Sequence, residues 1–204
     1  MNILAENIDS HPVIMGNEYT TIDDQPTDRF VNRLTQMNWV EWINGCGEKF
    51  TLLPVRDDYA EHIVKDKINI IDWINLEEHY QISKIMESIK REIGAGIAII
   101  AIQKAEGAES GRGGQFTKDF ADVELLIDQY GDSEETLLKI GKVKESRCRV
   151  SGRTFAFGIT SGVMITNFRE VFQCHTCKGK KFIGVKRCSD CDGVGYNEGV
   201  TIHA

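Results

Sequence analysis

Four cysteines near the end of the chain are spaced to hold a metal ion. The stretch "CHTCKGKKFIGVKRCSDCDGVGY", residues 174–196, has the form C-x2-C-x10-C-x2-C. Cys174, Cys177, Cys188 and Cys191 can supply four thiolates at tetrahedral positions, the geometry of structural Zn2+. A segment this small has too little core to fold without such an ion. A redox dithiol or a disulfide is the competing chemistry for paired C-x-x-C. Gly179 and Gly193 each lie two residues past a pair, where they suit tight turns and turn N–H groups toward sulfur. His175 sits inside one turn and is not needed as a ligand, and Cys46 and Cys148 are isolated thiols. Lys178, Lys180, Lys181, Lys186 and Arg187 stand against Asp190 and Asp192, with Phe182 and Tyr196 as rings on which bases can stack. The same residues also suit a solvated ribbon with Phe182 packed under the ion.

A second set of candidates consists of single polar groups beside apolar runs. In "KINIIDWI" (67–74), Asp72 directly follows Ile70 and Ile71. Glu18 lies near the end of "PVIMGNEY" (12–19), and Gln103 follows "IAIIAI" (97–102). A charge beside a buried strand is costly unless it is paired. At the C-terminal edge of an open α/β sheet, where ligands bind, such groups have work to do. An Asp there can hold Mg2+, a Glu can polarise an attacking water, and a Gln can sense a γ-phosphate. The plain alternative is three strand ends turning toward solvent.

Periodicity supplies the elements that must position these groups. "NILAENID" (2–9) and "TDRFVNRLTQM" (27–37) read as helical, and "FTLLPV" (50–55) as a short strand. Ile82, Ile85, Met86, Ile89 and Ile93 form one apolar helix face, ended by Gly94 and Gly96. Strand, helix and strand over 67–102 make a βαβ unit whose strands lack polar alternation, as in a parallel sheet covered on both faces. "GAESGRGGQF" (107–116) reads as a mobile loop, and "GCGEKF" (45–50) as a turn. Strand candidates at 123–129, 136–145 and 153–160 are spaced for an antiparallel edge. Composition then shifts to Cys, Lys and Gly, which places a boundary near 170, with domains 1–170 and 171–204.

The order of these motifs resembles the RecA-like ATPase core of DnaB-type replicative DNA helicases and their bacteriophage relatives. "VIMGNEY" resembles the strand that carries their catalytic glutamate, "TDRFVNRL" the helix after it, and "INIIDWI" their Walker B strand. "IAIIAIQK" resembles the strand ending in their Gln sensor, and "GRGGQF" falls where they carry a DNA-facing loop. The resemblance spans roughly residues 2–160. It implies an α/β fold, the three-layer α/β/α sheet of P-loop NTPases, to which the cysteine spacing adds a small C-terminal zinc ribbon. It implies Glu18 as the water-activating base, Asp72 as the carboxylate associated with Mg2+, and Gln103 as the sensor. "KIGKVKESR" resembles a strand that presents basic residues to a neighbouring subunit's nucleotide, which makes Lys144 and Arg147 candidate fingers; solvated charges on an edge strand fit as well. Arg112 and Lys118 would lie in or beside the DNA-facing loop, and Lys180 and Lys181 would add DNA contacts. The expected partners are ATP, single-stranded DNA and further copies in a ring. C-x-x-C-x-G repeats are also similar to the zinc modules of DnaJ-type chaperones, but only one pair is present and the J region is not.

One departure matters. The chain contains no G-x-x-x-x-G-K-[ST], and so no phosphate loop. The reading is therefore a core that lacks its first strand and that loop, inactive alone, with a non-catalytic nucleic-acid-binding or adaptor protein as the alternative. The bulk numbers bound both readings. At 204 residues, 41% hydrophobic and 27% charged, the composition is that of a soluble domain with a small appendage. A net charge of -7 gives no global attraction to nucleic acid, so such binding needs a local basic patch. The absence of a bilayer-spanning apolar run and of a leader pattern makes the cytoplasm the expected compartment.

Overall fold

Strands covered on both faces are rich in apolar residues, and the sheet of the first unit is built from four short strands of that kind, with Asn69 and Thr51 the polar exceptions. The computed structural model describes residues 1–16, 18–74, 81–105 and 108–199. They pack as two compact units, Met1–Phe120 with Ser161–Val163, and Ala121–Thr160 with Met164–Ala204. The boundary expected near residue 170 falls within a strand of the second unit.

The first unit opens with α1 (Asn2–Glu6), β1 (Val13–Met15) and α2 (Asp28–Gln36). The Thr27 hydroxyl caps α2 by accepting from the Phe30 N–H at 3.3 Å. "GCGEKF" takes part in a small hairpin, β2 (Ile43–Asn44) with β3 (Gly47–Glu48). There follow β4 (Thr51–Leu53), β5 (Ile68–Ile71), α3 (Ile82–Glu92), β6 (Ile97–Ile100) and α4 (Gln115–Phe120). Four strands form a parallel sheet in the order β4-β1-β5-β6. Val13, Met15 and Ile71 pack with Ile82 and Ile89 of α3 on one side, while Leu4, Ile14, Phe30 and Phe50 close the other. Asn69 is fully buried in β5 and is satisfied: its amide bonds both backbone groups of Val64 at 2.9 Å. The expected βαβ unit is therefore present. The loop expected over 107–116 instead ends in the first residues of α4, and Gly107 lies outside the described residues.

The second unit is an antiparallel sheet in the order β13-β10-β9-β8-β7. Its strands are β7 (Val123–Gln129), β8 (Thr136–Val143), β9 (Thr154–Thr160), β10 (Met164–Gln173) and β13 (Tyr196–Glu198). Between β10 and β13 lies the cysteine segment, with its own hairpin, β11 (Phe182–Ile183) and β12 (Lys186–Arg187). Leu137, Ala156, Val171 and Tyr130 form a core on one face, joined by Val194 and Tyr196.

Candidate functional site

β1, β5 and β6 are adjacent and parallel, with Met15 opposite Ile71 and Ile71 opposite Ile100. Asp72 follows β5 directly, Glu18 lies three residues past β1, and Gln103 lies three past β6. All three therefore lie beyond the C-terminal edge of one sheet, on neighbouring strands. Two backbone contacts fix Asp72 there. Its N–H donates to the Met15 carbonyl at 2.9 Å, and Gly16 packs against its carbonyl. A Cβ on Gly16 would sit 2.1 Å from that oxygen, and its φ of +131 is one that side-chain-bearing residues rarely adopt. Close approach of β1 to Asp72 thus requires glycine at position 16.

The side chains around Asp72 come from α2 and the segment before it. Tyr19 is buried against Phe30, with ring centroids 5.1 Å apart. Burial, and then the Asp72 carboxylate beside it, push the Tyr19 phenol well above its usual range, so it stays protonated and neutral. Arg33 donates to the Tyr19 hydroxyl at 3.2 Å and lies over its ring. Arg29, one turn earlier on α2, forms an ion pair with Glu18. The sequence reading missed Tyr19, Arg29 and Arg33. The available signal was the i, i+4 spacing of the two arginines, which puts both on one face of α2. On the far side of the sheet, the Arg112 N–H donates to the Gln103 carbonyl at 2.8 Å, which holds the loop before α4 against that strand end. Arg112 is exposed, and Lys118 lies on α4.

The other basic candidates belong to the second unit. Lys144 is tied to Asp122 at 2.7 Å, and Arg147 lines an open hollow of about 430 Å3 together with Arg149 and Ser151. Lys181 reaches the Gly131 carbonyl at 3.4 Å and Arg187 pairs with Asp132 at 2.6 Å, so these two anchor the cysteine segment to the turn after β7. Lys180 is exposed, as are Phe182, Ile183 and Val185 at the β11–β12 tip.

The four cysteines converge. All are buried, and their sulfur atoms lie within 4.8 Å of one another. Cys174 and Cys188 are 3.9 Å apart and Cys177 and Cys191 3.6 Å apart. Four thiolates around one ion at a Zn–S distance of ~2.3 Å are separated by ~3.8 Å, so the spacing fits a tetrahedral site. The backbone N–H groups of Cys177 and Thr176 hold the Cys174 thiol down at about 7, in part against its burial. Burial pushes the Cys191 thiol up to about 11, a penalty that a bound cation removes. The Gly195 N–H donates to the Cys191 sulfur at 3.3 Å, whereas that of Gly193, expected to face sulfur, goes to the Cys188 carbonyl at 3.0 Å. Sequence spacing alone had identified every member of this cluster.

No family profile matches the chain, and no curated protein matches it. Among solved structures, a KaiC-like protein from the hyperthermophilic archaeon Pyrococcus horikoshii superposes with a TM-score of 0.52. The match covers 80% of this chain and 77% of that one, at 18% identity. The fold is RecA-like. It carries a buried four-cysteine module suited to a metal ion. Among the described residues, no helix is long and apolar enough to cross a membrane.

Proposed function

We propose that this chain is part of an ATP-hydrolysing DNA motor of the DnaB helicase type, acting on single-stranded DNA during replication. The observation that carries the reading is the placement of Glu18, Asp72 and Gln103 beyond one sheet edge on three adjacent parallel strands. Asp72 is a half-buried carboxylate at a strand end, an oxygen donor of the kind that Mg2+ accepts, directly or through water. Bound there, Mg2+ and ATP would supply the phosphoryl group and neutralise its charge. Glu18 would orient the attacking water once it leaves Arg29, and Gln103 would pass on the state of the nucleotide to the loop held by Arg112. The lysine and the N–H groups that cradle phosphates have no counterpart in these 204 residues, and in this reading they come from a separate segment. Lys144 and Arg147 are the candidate fingers toward a neighbouring copy in a ring. The cysteine module holds structural Zn2+, and Lys180, just before its β11–β12 hairpin, contributes to DNA contact.

A second reading is a zinc-containing nucleic-acid-binding or adaptor protein on the same scaffold. It is favoured by the missing phosphate loop and by the basic, apolar-tipped hairpin around Lys180. ATP turnover separates the two. The zinc-loaded chain should turn over no ATP alone. It should do so, with stimulation by single-stranded DNA, when a segment bearing G-x-x-x-x-G-K-[ST] is supplied, and Asp72→Asn or Glu18→Gln should abolish that activity. No turnover under any such pairing would favour the adaptor.

A further inference from the structure

One face of the five-stranded sheet is covered by the core around Ala156 and by Val194 and Tyr196 of the metal module. On the opposite face, among the described residues, only Phe157 is buried, and it lies beside Phe168 with ring centroids 6.1 Å apart. Strand pairing places the residues of this face: Leu125 lies opposite Ile140, Ile127 opposite Leu138, Leu138 opposite Phe155, and Ile159 opposite Ile165. Phe168 stacks on Phe155 at 5.1 Å from the same side. Four adjacent strands thus present one continuous apolar surface. Much of it is open: Leu125, Ile127, Ile159, Ile165, Phe168 and Phe172 are each more than half exposed, from 51% to 57%.

Three properties of this face define what fits it. First, its size. Six large side chains with about 100 Å2 open on each make roughly 600 Å2, at the top of what a monomer leaves in one patch. With the half-exposed residues between them, it approaches the ~800 Å2 per partner of a stable interface. Second, its charge. Arg153 and Glu170, which flank Phe155, bond to each other at 2.7 and 2.8 Å, and Arg153 lies over the Phe155 ring. This ion pair closes on itself and asks nothing of a partner. Third, its shape. It is a sheet surface, and two such surfaces pack face to face about 10 Å apart, as in sandwiches.

We propose that this face is buried against the same face of a second copy of the chain, forming a twofold dimer by sheet-on-sheet packing. An apolar sheet surface whose Arg153–Glu170 pair closes on itself is complementary to a second copy of itself, and a C2 arrangement closes with both patches buried. This contact is separate from the strand-end site and does not depend on the nucleotide reading.

Sedimentation of the full-length, zinc-loaded chain at micromolar concentration tests it. The wild type should behave as a dimer. Phe168→Glu on β10 and Ile127→Lys on β7 should each weaken that dimer by on the order of a hundredfold or more, since every dimer then buries two unpaired charges. Both side chains are more than half exposed in the single chain, so zinc content and the far-ultraviolet dichroism spectrum should stay at wild-type values and confirm folding, while the thermal midpoint should fall as the dimer is lost. A wild-type monomer would overturn the proposal. So would an assembly of any size that survives both substitutions.

Discussion

Gly16 sets how closely β1 and Asp72 can approach, because its absent side chain leaves room for a backbone oxygen. Gly16→Ala should cost about 1–3 kcal/mol through clash and a disfavoured φ, read as a lower denaturant midpoint. A different residue-level lever lies in the second unit. The Arg169 guanidinium, through two bonds, with Asn167 adding a third, holds the Glu135 carboxyl below its ordinary value. A lowered folded value means that this contribution is complete above the ordinary carboxylate range and is lost as pH falls through the lowered one. Melting measured across that acid window should show the loss, and Glu135→Gln should flatten it. These two cases also mark what single residues disclose in a sequence. Asp72 and the cysteines stand out because their signal is local, an apolar run or a fixed spacing. The pairing of Glu135 with Arg169, or of Glu18 with Arg29, joins residues from different elements, and although the spacing of Arg29 and Arg33 marks a helix face, nothing local names the partner.

At the scale of elements, the parallel strands and α3 were legible because their apolar residues dominate a short local stretch. β10 was not. "MITNFREVFQ" lacks alternation because its register shifts between Thr166 and Arg169, where Asn167 has a φ of 51. That irregularity puts Phe168 on the open face and Arg169 on the covered one, over the Tyr130 ring. α4 is six residues long and follows a glycine-rich stretch, too short for its period to register. For the metal module the expected outcome is specific. Purified protein should carry about one equivalent of zinc. Chelation, or Cys188→Ser, should abolish hydrogen-exchange protection over 172–197 and leave that of β5 and β6 intact. Loss of protection in those parallel strands would mean that the module supports more than its own segment.

For the whole molecule, acidity works against the proposed contact with DNA. A chain of net charge -7 repels nucleic acid everywhere except at local basic surfaces. Any binding of single-stranded DNA by the chain alone should therefore be weak and fall steeply with salt, and Lys180→Ala should reduce both the affinity and the salt slope. The two-unit division was not legible in composition, because it follows strand pairing and β10 was missed. The pairing of Gln173 with Tyr196 has one more result. It makes the whole metal module the turn of a hairpin, gripped at both ends. Thiol oxidation or loss of the ion would turn that stop into a long slack loop and let β13 peel away. The backbone N–H and C=O groups of Val171–Gln173 would then stand as a bare edge at the margin of an apolar sheet, a template for further strands. Stripping the metal should thus show itself less as unfolding than as turbidity: the ion guards solubility.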